Sequence, residues 1–216
     1  MESDGRRRLD PGASEYPAAL RRCFREGRPV TAWGTLHLLE SALLGFFCSV
    51  RAPGDVLLKT YDLARALRGR SVTVVGGFQS PMEKEFLDLL LRGAAGAVVC
   101  PARGLGGMRL PRAWRAPLDD GRLLVLSFFD EAVRRPTAAI AARRNACVAA
   151  LADRLLVAHA APGGKTERLC RDALAGGKRV FTLESSDNAH LIAGGAVPVA
   201  ADDPAACVGD GLGGPA

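Results

Sequence analysis

Six short apolar runs alternate with segments of helical period, and this alternation restricts the fold more than any other feature of the sequence. The runs are LLGFFC (43–48), VTVV (72–75), AVVC (97–100), LLVLS (123–127), LLVA (155–158) and VFTL (180–183). Each is too short for a helix and lacks polar residues at alternate positions, so it reads as a strand buried on both faces. After the first run, Val56, Leu57, Tyr61, Ala64 and Leu67 fall on one helical stripe within residues 55–68. After the second, Pro81 starts a helix carrying Phe86, Leu87, Leu90 and Leu91, and after the fifth a helix runs from Lys165 to Ala175, closed by Gly176-Gly177. Repeated strand–helix units imply an α/β chain with a doubly wound, mostly parallel open sheet and helices on both faces. Such a sheet binds its ligands in the loops at the carboxyl ends of its strands.

The chain's 216 residues suffice for a single domain. Residues 16–200 are expected to form it, with a flexible N-terminus over 1–15 and a flexible, Gly/Pro-rich tail over 201–216. Aromatic residues make up only 6%, which favours layered Leu/Val/Ala packing over an aromatic-rich sandwich. The formal charge is +6, with arginine supplying most of the basic residues, and it suits a partner carrying phosphates. Cysteines 23, 48, 100, 147, 170 and 207 show neither CxxC spacing nor a close histidine, so neither a zinc site nor a disulfide framework is expected. The longest apolar run, Ala42–Cys48, is far below membrane-spanning length, and the expectation is a cytoplasmic protein with reduced thiols.

Candidate binding residues concentrate in the loops. Ser49 and Arg51 lie in the turn before the first helix, where a guanidinium and a helix N-terminus can hold a phosphate together. Gly76 and Gly77 allow a backbone to approach a ligand closely. APGGKTE (161–167) puts Gly163 and Gly164 before a helix that begins with Lys165 and Thr166, a second phosphate cradle. It is not a Walker A loop, because His159 stands where that motif requires glycine. Residues 103–144 hold nine arginines against four acids, together with Trp114, Phe128 and Phe129, either as stacking groups for single-stranded nucleic acid or, for the phenylalanines, as core. Arg143, Arg144 and Asn145 sit at a helix's beginning. Arg144 shares a face with Val148 and Leu151 and should therefore point inward, where a guanidinium needs an anion. The three histidines are scattered, and no catalytic triad, metal cluster or nucleophile elbow is present in the sequence, so no catalytic residue, metal or cofactor is assigned.

From about Tyr16 to Val199 the chain resembles the Rossmann-like domain of the DprA/Smf DNA-processing proteins, within a superfamily that also contains the LOG phosphoribohydrolases. The resemblance is carried by YPAALRR with AWG (16–34), FFCSVRAPGD (46–55), VVGGF (74–78), RRNACVAALADRLLVAHA (143–160), GGKTE with ALAGGKRVFTL (163–183), and NAHLIAGGAVPV (188–199). It implies a divergent, stand-alone relative that binds single-stranded DNA without catalysis, in DNA uptake, processing or recombination, with RecA as a partner. By that resemblance Arg51, Arg143, Arg144 and Lys165 meet phosphates, while Asn145 and Asn188 orient the loops. The family's Gly-Ser-Arg turn reads Cys48-Ser49-Val50-Arg51 here, and its Ser-Gly-Thr turn reads Gly163-Gly164-Lys165. The LOG likeness of PGGKTE implies the alternatives, a nucleotide hydrolase with Glu167 as its carboxylate or a nucleotide sensor without chemistry. A homodimer would need an exposed apolar helix face.

Overall fold

The computed structural model describes residues 5–24 and 27–208. Its strands are β1 (Arg6–Leu9), β2 (Val30–Gly34), β3 (Leu43–Cys48), β4 (Thr73–Gly76), β5 (Gly96–Val99), β6 (Leu123–Ser127), β7 (Arg154–His159), β8 (Val180–Leu183) and β9 (Val197–Val199). The helices are α1 (Ala18–Cys23), α2 (Gly54–Arg68), α3 (Pro81–Leu91), α4 (Arg115–Asp119), α5 (Ala138–Leu151), α6 (Lys165–Ala175), α7 (Ala189–Ala193) and α8 (Ala205–Val208). All nine strands form one sheet, ordered β1-β2-β6-β5-β4-β3-β7-β8-β9. From β6 to β9 every pairing is parallel, and β2 joins β6 and β1 joins β2 antiparallel.

β3 is the middle one of the seven parallel strands and is buried at every position. Alternate side chains face opposite layers: Leu44, Phe46 and Cys48 join α2 and α3, while Leu43 and Phe47 join α5 and α1. Phe46 stacks on Phe86 of α3 with ring centroids 3.7 Å apart. At Gly45 a side chain would come within 2.7 Å of Leu155 and 2.8 Å of Ala152, so glycine lets β7 and the end of α5 close against β3. Lys178 holds the end of α5, donating to the carbonyls of Ala149, Ala150 and Ala152, where an ammonium also complements the helix dipole.

The six runs expected as strands are β3 to β8, displaced by at most one residue at an end. Three further strands go beyond that expectation. β1 falls within the N-terminal segment read as flexible, which is corrected here: Arg6–Leu9 pairs residue for residue with Trp33–Val30, and Leu9 is buried. The cause is cross-strand pairing plus the Arg6 guanidinium, 4.5 Å from the centre of the Trp33 ring, neither of which shows in the local string RRRL. The C-terminal segment likewise contains a helical turn, α8, with Cys207 buried; residues 209–216 of that expected tail lie outside the described residues. α5 begins at Ala138, so Arg143–Asn145 sit in its second turn instead of at its start. No described helix is long and apolar enough to cross a membrane.

The Phe46–Phe86 stack joins the central strand to the α2/α3 layer. Phe86→Ala is therefore expected to lower stability by about 3–5 kcal/mol in urea unfolding followed by circular dichroism, with the sheet topology retained.

Candidate functional site

The chain leaves β3 for β4, β5 and β6 on one side, then returns to place β7, β8 and β9 on the other. The direction of winding reverses between β3 and β7, and the loops leaving these two neighbours part to opposite faces. They are tied at the base. Ser49 N–H donates to the His159 carbonyl at 2.9 Å, and Ser49 Oγ accepts from Ala161 N–H at 3.0 Å. Past that clasp, the β3 loop presents exposed Arg51 and leads into α2, while the β7 loop presents Gly163, Gly164 and exposed Lys165 at the start of α6.

The helices around this crevice differ at their N-termini. α3 has a complete capping box between Ser80 and Glu83, and α5 is capped by Thr137. α2 and α6, which follow β3 and β7, have Pro53 and Gly164 at the cap position and no side-chain cap. In α2 the Asp55 carboxylate accepts from Val56 N–H, and the other first-turn N–H groups and the dipoles of the two helices have no side-chain cap, which is the chemistry that draws an oxyanion. Thr166 is half-buried in the first turn of α6. Glu167 is the carboxylate nearest that turn, and it accepts from Gly163 N–H at 2.7 Å, fixing the bend that Gly163 makes with φ of +72°.

Behind the crevice lies a buried polar frame. Arg144 points inward as its helical face demands, and only 3% of it is exposed. Its Nη1 donates to the Cys100 carbonyl at 2.8 Å and its Nε to Asn145 Oδ1 at 2.7 Å. Burial lowers its pKa below the ordinary arginine value, against the opposing field of Glu83. Glu83 is absent from the residues expected at the site, although Ser80-x-x-Glu83 after a strand is a legible capping signal. Its carboxylate accepts from Cys48 N–H (3.1 Å), Gln79 N–H (2.8 Å) and Ser80 N–H (3.1 Å), joining the ends of β3 and β4. Asn188 is fully buried and donates from Nδ2 to the Ala158 and Leu183 carbonyls, each at 2.9 Å. Its Oδ1 therefore faces His159 at 2.9 Å, and His159 Nδ1 must carry the donated proton.

Of the expected site residues, the crevice gathers Ser49, Arg51, Gly163, Gly164, Lys165 and Thr166. Arg143 stands exposed on α5, its guanidinium 5.8 Å from the Phe129 ring. Three expectations need correction, those for Arg144, for Gly76 with Gly77, and for Trp114. Arg144 is buried and committed to the Cys100 carbonyl and Asn145, and Asn188 is a buried tie between backbone carbonyls and His159. Gly76 and Gly77 leave room for the protein's own groups and not for a ligand: the Phe78 ring covers Gly76, and a side chain at Gly77 would collide with the Arg144 guanidinium. Phe78 itself holds φ at +48°, a conformation costly for a non-glycine residue. Asn145 is half-buried and serves Arg144 as acceptor. Phe128 and Phe129 are buried in the core, the second of the two readings given for them, and Trp114 packs against the α2/α3 core, so it is not a free stacking group.

The described residues contain no group of three or more His, Cys, Asp or Glu able to hold a metal ion. The cysteines are all free. Burial raises the Cys48 thiol to about 12, Cys170 to about 11 and Cys207 to about 11, and pushes Cys23, Cys100 and Cys147 upward too. At neutral pH the thiol form of these cysteines is favoured over the thiolate.

Among solved structures, DNA processing protein A (DprA) from Streptococcus pneumoniae superimposes with a TM-score of 0.77 at 19% identity, covering 94% of this chain and 74% of its own. The chain has the DprA fold. DprA from Helicobacter pylori, which binds single-stranded DNA, matches with a TM-score of 0.68 at 17% identity, over 89% of this chain and 90% of its own. The molybdenum cofactor binding protein from Rippkaea orientalis shares the architecture more distantly, with a TM-score of 0.54 at 11% identity over 75% of this chain and 91% of its own. No protein-family model and no curated protein sequence matches the chain. The likeness to DprA is thus one of architecture, and the site must be argued from its own residues.

Two measurements check this arrangement. Gly77→Ala is expected to destabilise the protein by about 1–3 kcal/mol, and markedly less when Arg144→Ala is also present, because the collision partner is gone. A disulfide reagent at neutral pH is expected to modify half-buried Cys23 before any other thiol of the native protein, with the five buried thiols reacting only on unfolding.

Proposed function

We infer that the chain is a DprA-like protein that binds single-stranded DNA at the crevice between the β3 and β7 loops, without catalysis. The observation that carries this reading is the pair of uncapped helix N-termini, α2 and α6, flanking the winding reversal with exposed Arg51 and Lys165 beside them. Neither cation has an ion-pair partner among the described residues, so both are available to phosphates. Exposed Arg134 and Arg135, in the loop after β6, and Arg143 on α5 extend the positive surface across the carboxyl ends of the parallel strands. A line of unpaired cations over several strand ends fits a polyanion better than a mononucleotide. The shared fold with a DNA-binding protein supports the same partner.

Action in DNA uptake, processing or recombination, with transfer of the strand to RecA, follows from the family resemblance and belongs to this proposal, as does a homodimer in the cytoplasm. The hydrolase alternative is disfavoured by Glu167, whose carboxylate is spent on Gly163 N–H and stands 3.5 Å from Arg171. It is tested by looking for base released from nucleoside monophosphates; release that Glu167→Ala abolishes would restore that alternative.

Fluorescence anisotropy with a labelled oligonucleotide tests the main reading. Arg51→Ala and Lys165→Ala together are expected to weaken binding by about 10- to 100-fold and to flatten the salt dependence by about 0.7 in log–log slope for each phosphate no longer neutralised. Unchanged affinity in the double variant would overturn the site assignment.

A further inference from the structure

A second cleft lies at the other side of the sheet, beyond β6, where nothing in the crevice reaches. It encloses about 610 Å³ between the antiparallel β1–β2 pair, the loop after β5 and α4. Its apolar walls are Trp33, Met108, Leu110 and Leu118, and its charged groups are Arg6, Arg109, Arg115 and Asp119. The antiparallel register puts Arg6 directly opposite Trp33, and the guanidinium lies over the indole. That guanidinium also donates to the carbonyls of Leu105 and Met108, both at 2.7 Å, which fastens the loop after β5 to β1 beside the stack. Arg109 and Arg115 are exposed and pair with no carboxylate among the described residues.

A guanidinium–indole stack walled by Met and Leu suits a flat aromatic heterocycle, and two unpaired arginines at the rim suit the phosphates on either side of it. Those are the parts of a nucleotide. The segment that carries Arg109 and Arg115 begins at the carboxyl end of β5 and descends to β6, so it connects the loop end of the sheet with the cleft. Trp33 on β2 is four strands from β3 in the sheet order, about 19 Å at the usual strand spacing of about 4.8 Å.

We propose that this cleft is a second nucleic-acid subsite, in which a base of the bound single strand extends the Arg6–Trp33 stack while Arg109 and Arg115 hold its flanking phosphates. The proposal rests on the single-stranded DNA reading of the crevice. It makes the binding footprint run from the β3/β7 crevice over β4, β5 and β6 to the β1–β2 pair, so the subsite engages only strands long enough to reach it.

The chain has two tryptophans, so Trp114→Phe leaves Trp33 as the sole indole reporter. The emission of that variant is expected to fall as it binds an oligonucleotide of about 16 nucleotides and to stay constant with one of about 4. Arg109→Ala with Arg115→Ala, both surface changes, is expected to weaken binding of the longer strand by about 3- to 10-fold and leave the shorter one unaffected. Trp33 emission that does not change while anisotropy reports the longer strand bound would overturn the subsite and leave the crevice reading intact. Equal affinity of the Arg109/Arg115 variant and the unsubstituted protein for the longer strand would overturn it as well, independently of the Trp114→Phe background. Failure of the unsubstituted protein to bind either strand would overturn both readings.

Discussion

A guanidinium withdrawn from water must find acceptors inside the protein, and the acceptors that Arg144 finds determine how the strand ends are joined. It reaches from α5 across Gly77 to the Cys100 carbonyl, thereby touching the loops after β4 and β5 together. Glu83, whose field acts on the same guanidinium, takes three backbone N–H groups from the ends of β3 and β4. On the other side of β3, Asn188 and His159 perform the corresponding task for β7 and β8. The exposed loops carrying Arg51 and Lys165 are thus short spans between fixed points, and neither cation is neutralised by a carboxylate among the described residues.

That separation between a buried frame and an exposed set of cations gives the crevice its electrostatic character. Helices with side-chain caps at their N-termini, α3 and α5, support the frame, whereas α2 and α6 begin without one at the winding reversal. Preorganised donors of this kind lower the ordering cost of binding a flexible polyanion, because the protein has little left to fix. The same design explains why glycines at strand ends have two different uses in one chain. Gly77 yields its space to Arg144, while Gly163 yields a left-handed turn that keeps the start of α6 open.

The central architecture is legible in the sequence because β3 to β8 are buried on both faces, and full burial leaves continuous apolar runs. β1, β2 and β9 are not, since they lie in the edge region: β1 reads RRRL, and β9 is three residues long with a proline in its middle. The inward turn of Arg144 follows from its spacing to Val148 and Leu151, but its partners do not, because a backbone carbonyl from residue 100 leaves no trace in the local sequence. For the same reason the carbonyls of Ala158 and Leu183 that hold Asn188 are not readable beside it in the sequence. Glu83 escapes notice because a capping residue and a loop clamp share one sequence signature, and only the three-dimensional closeness of β3 and β4 shows that this side chain does both.

A single DNA strand laid across the carboxyl ends of the parallel strands, anchored at the β3/β7 reversal, is the central claim. Photocrosslinking of a thymine-rich strand followed by peptide mass mapping tests it most directly. Crosslinks within residues 49–53 and 161–166 are the predicted result. Crosslinks confined to the amino ends of the strands, around residues 37–41 and 70–73, would contradict it.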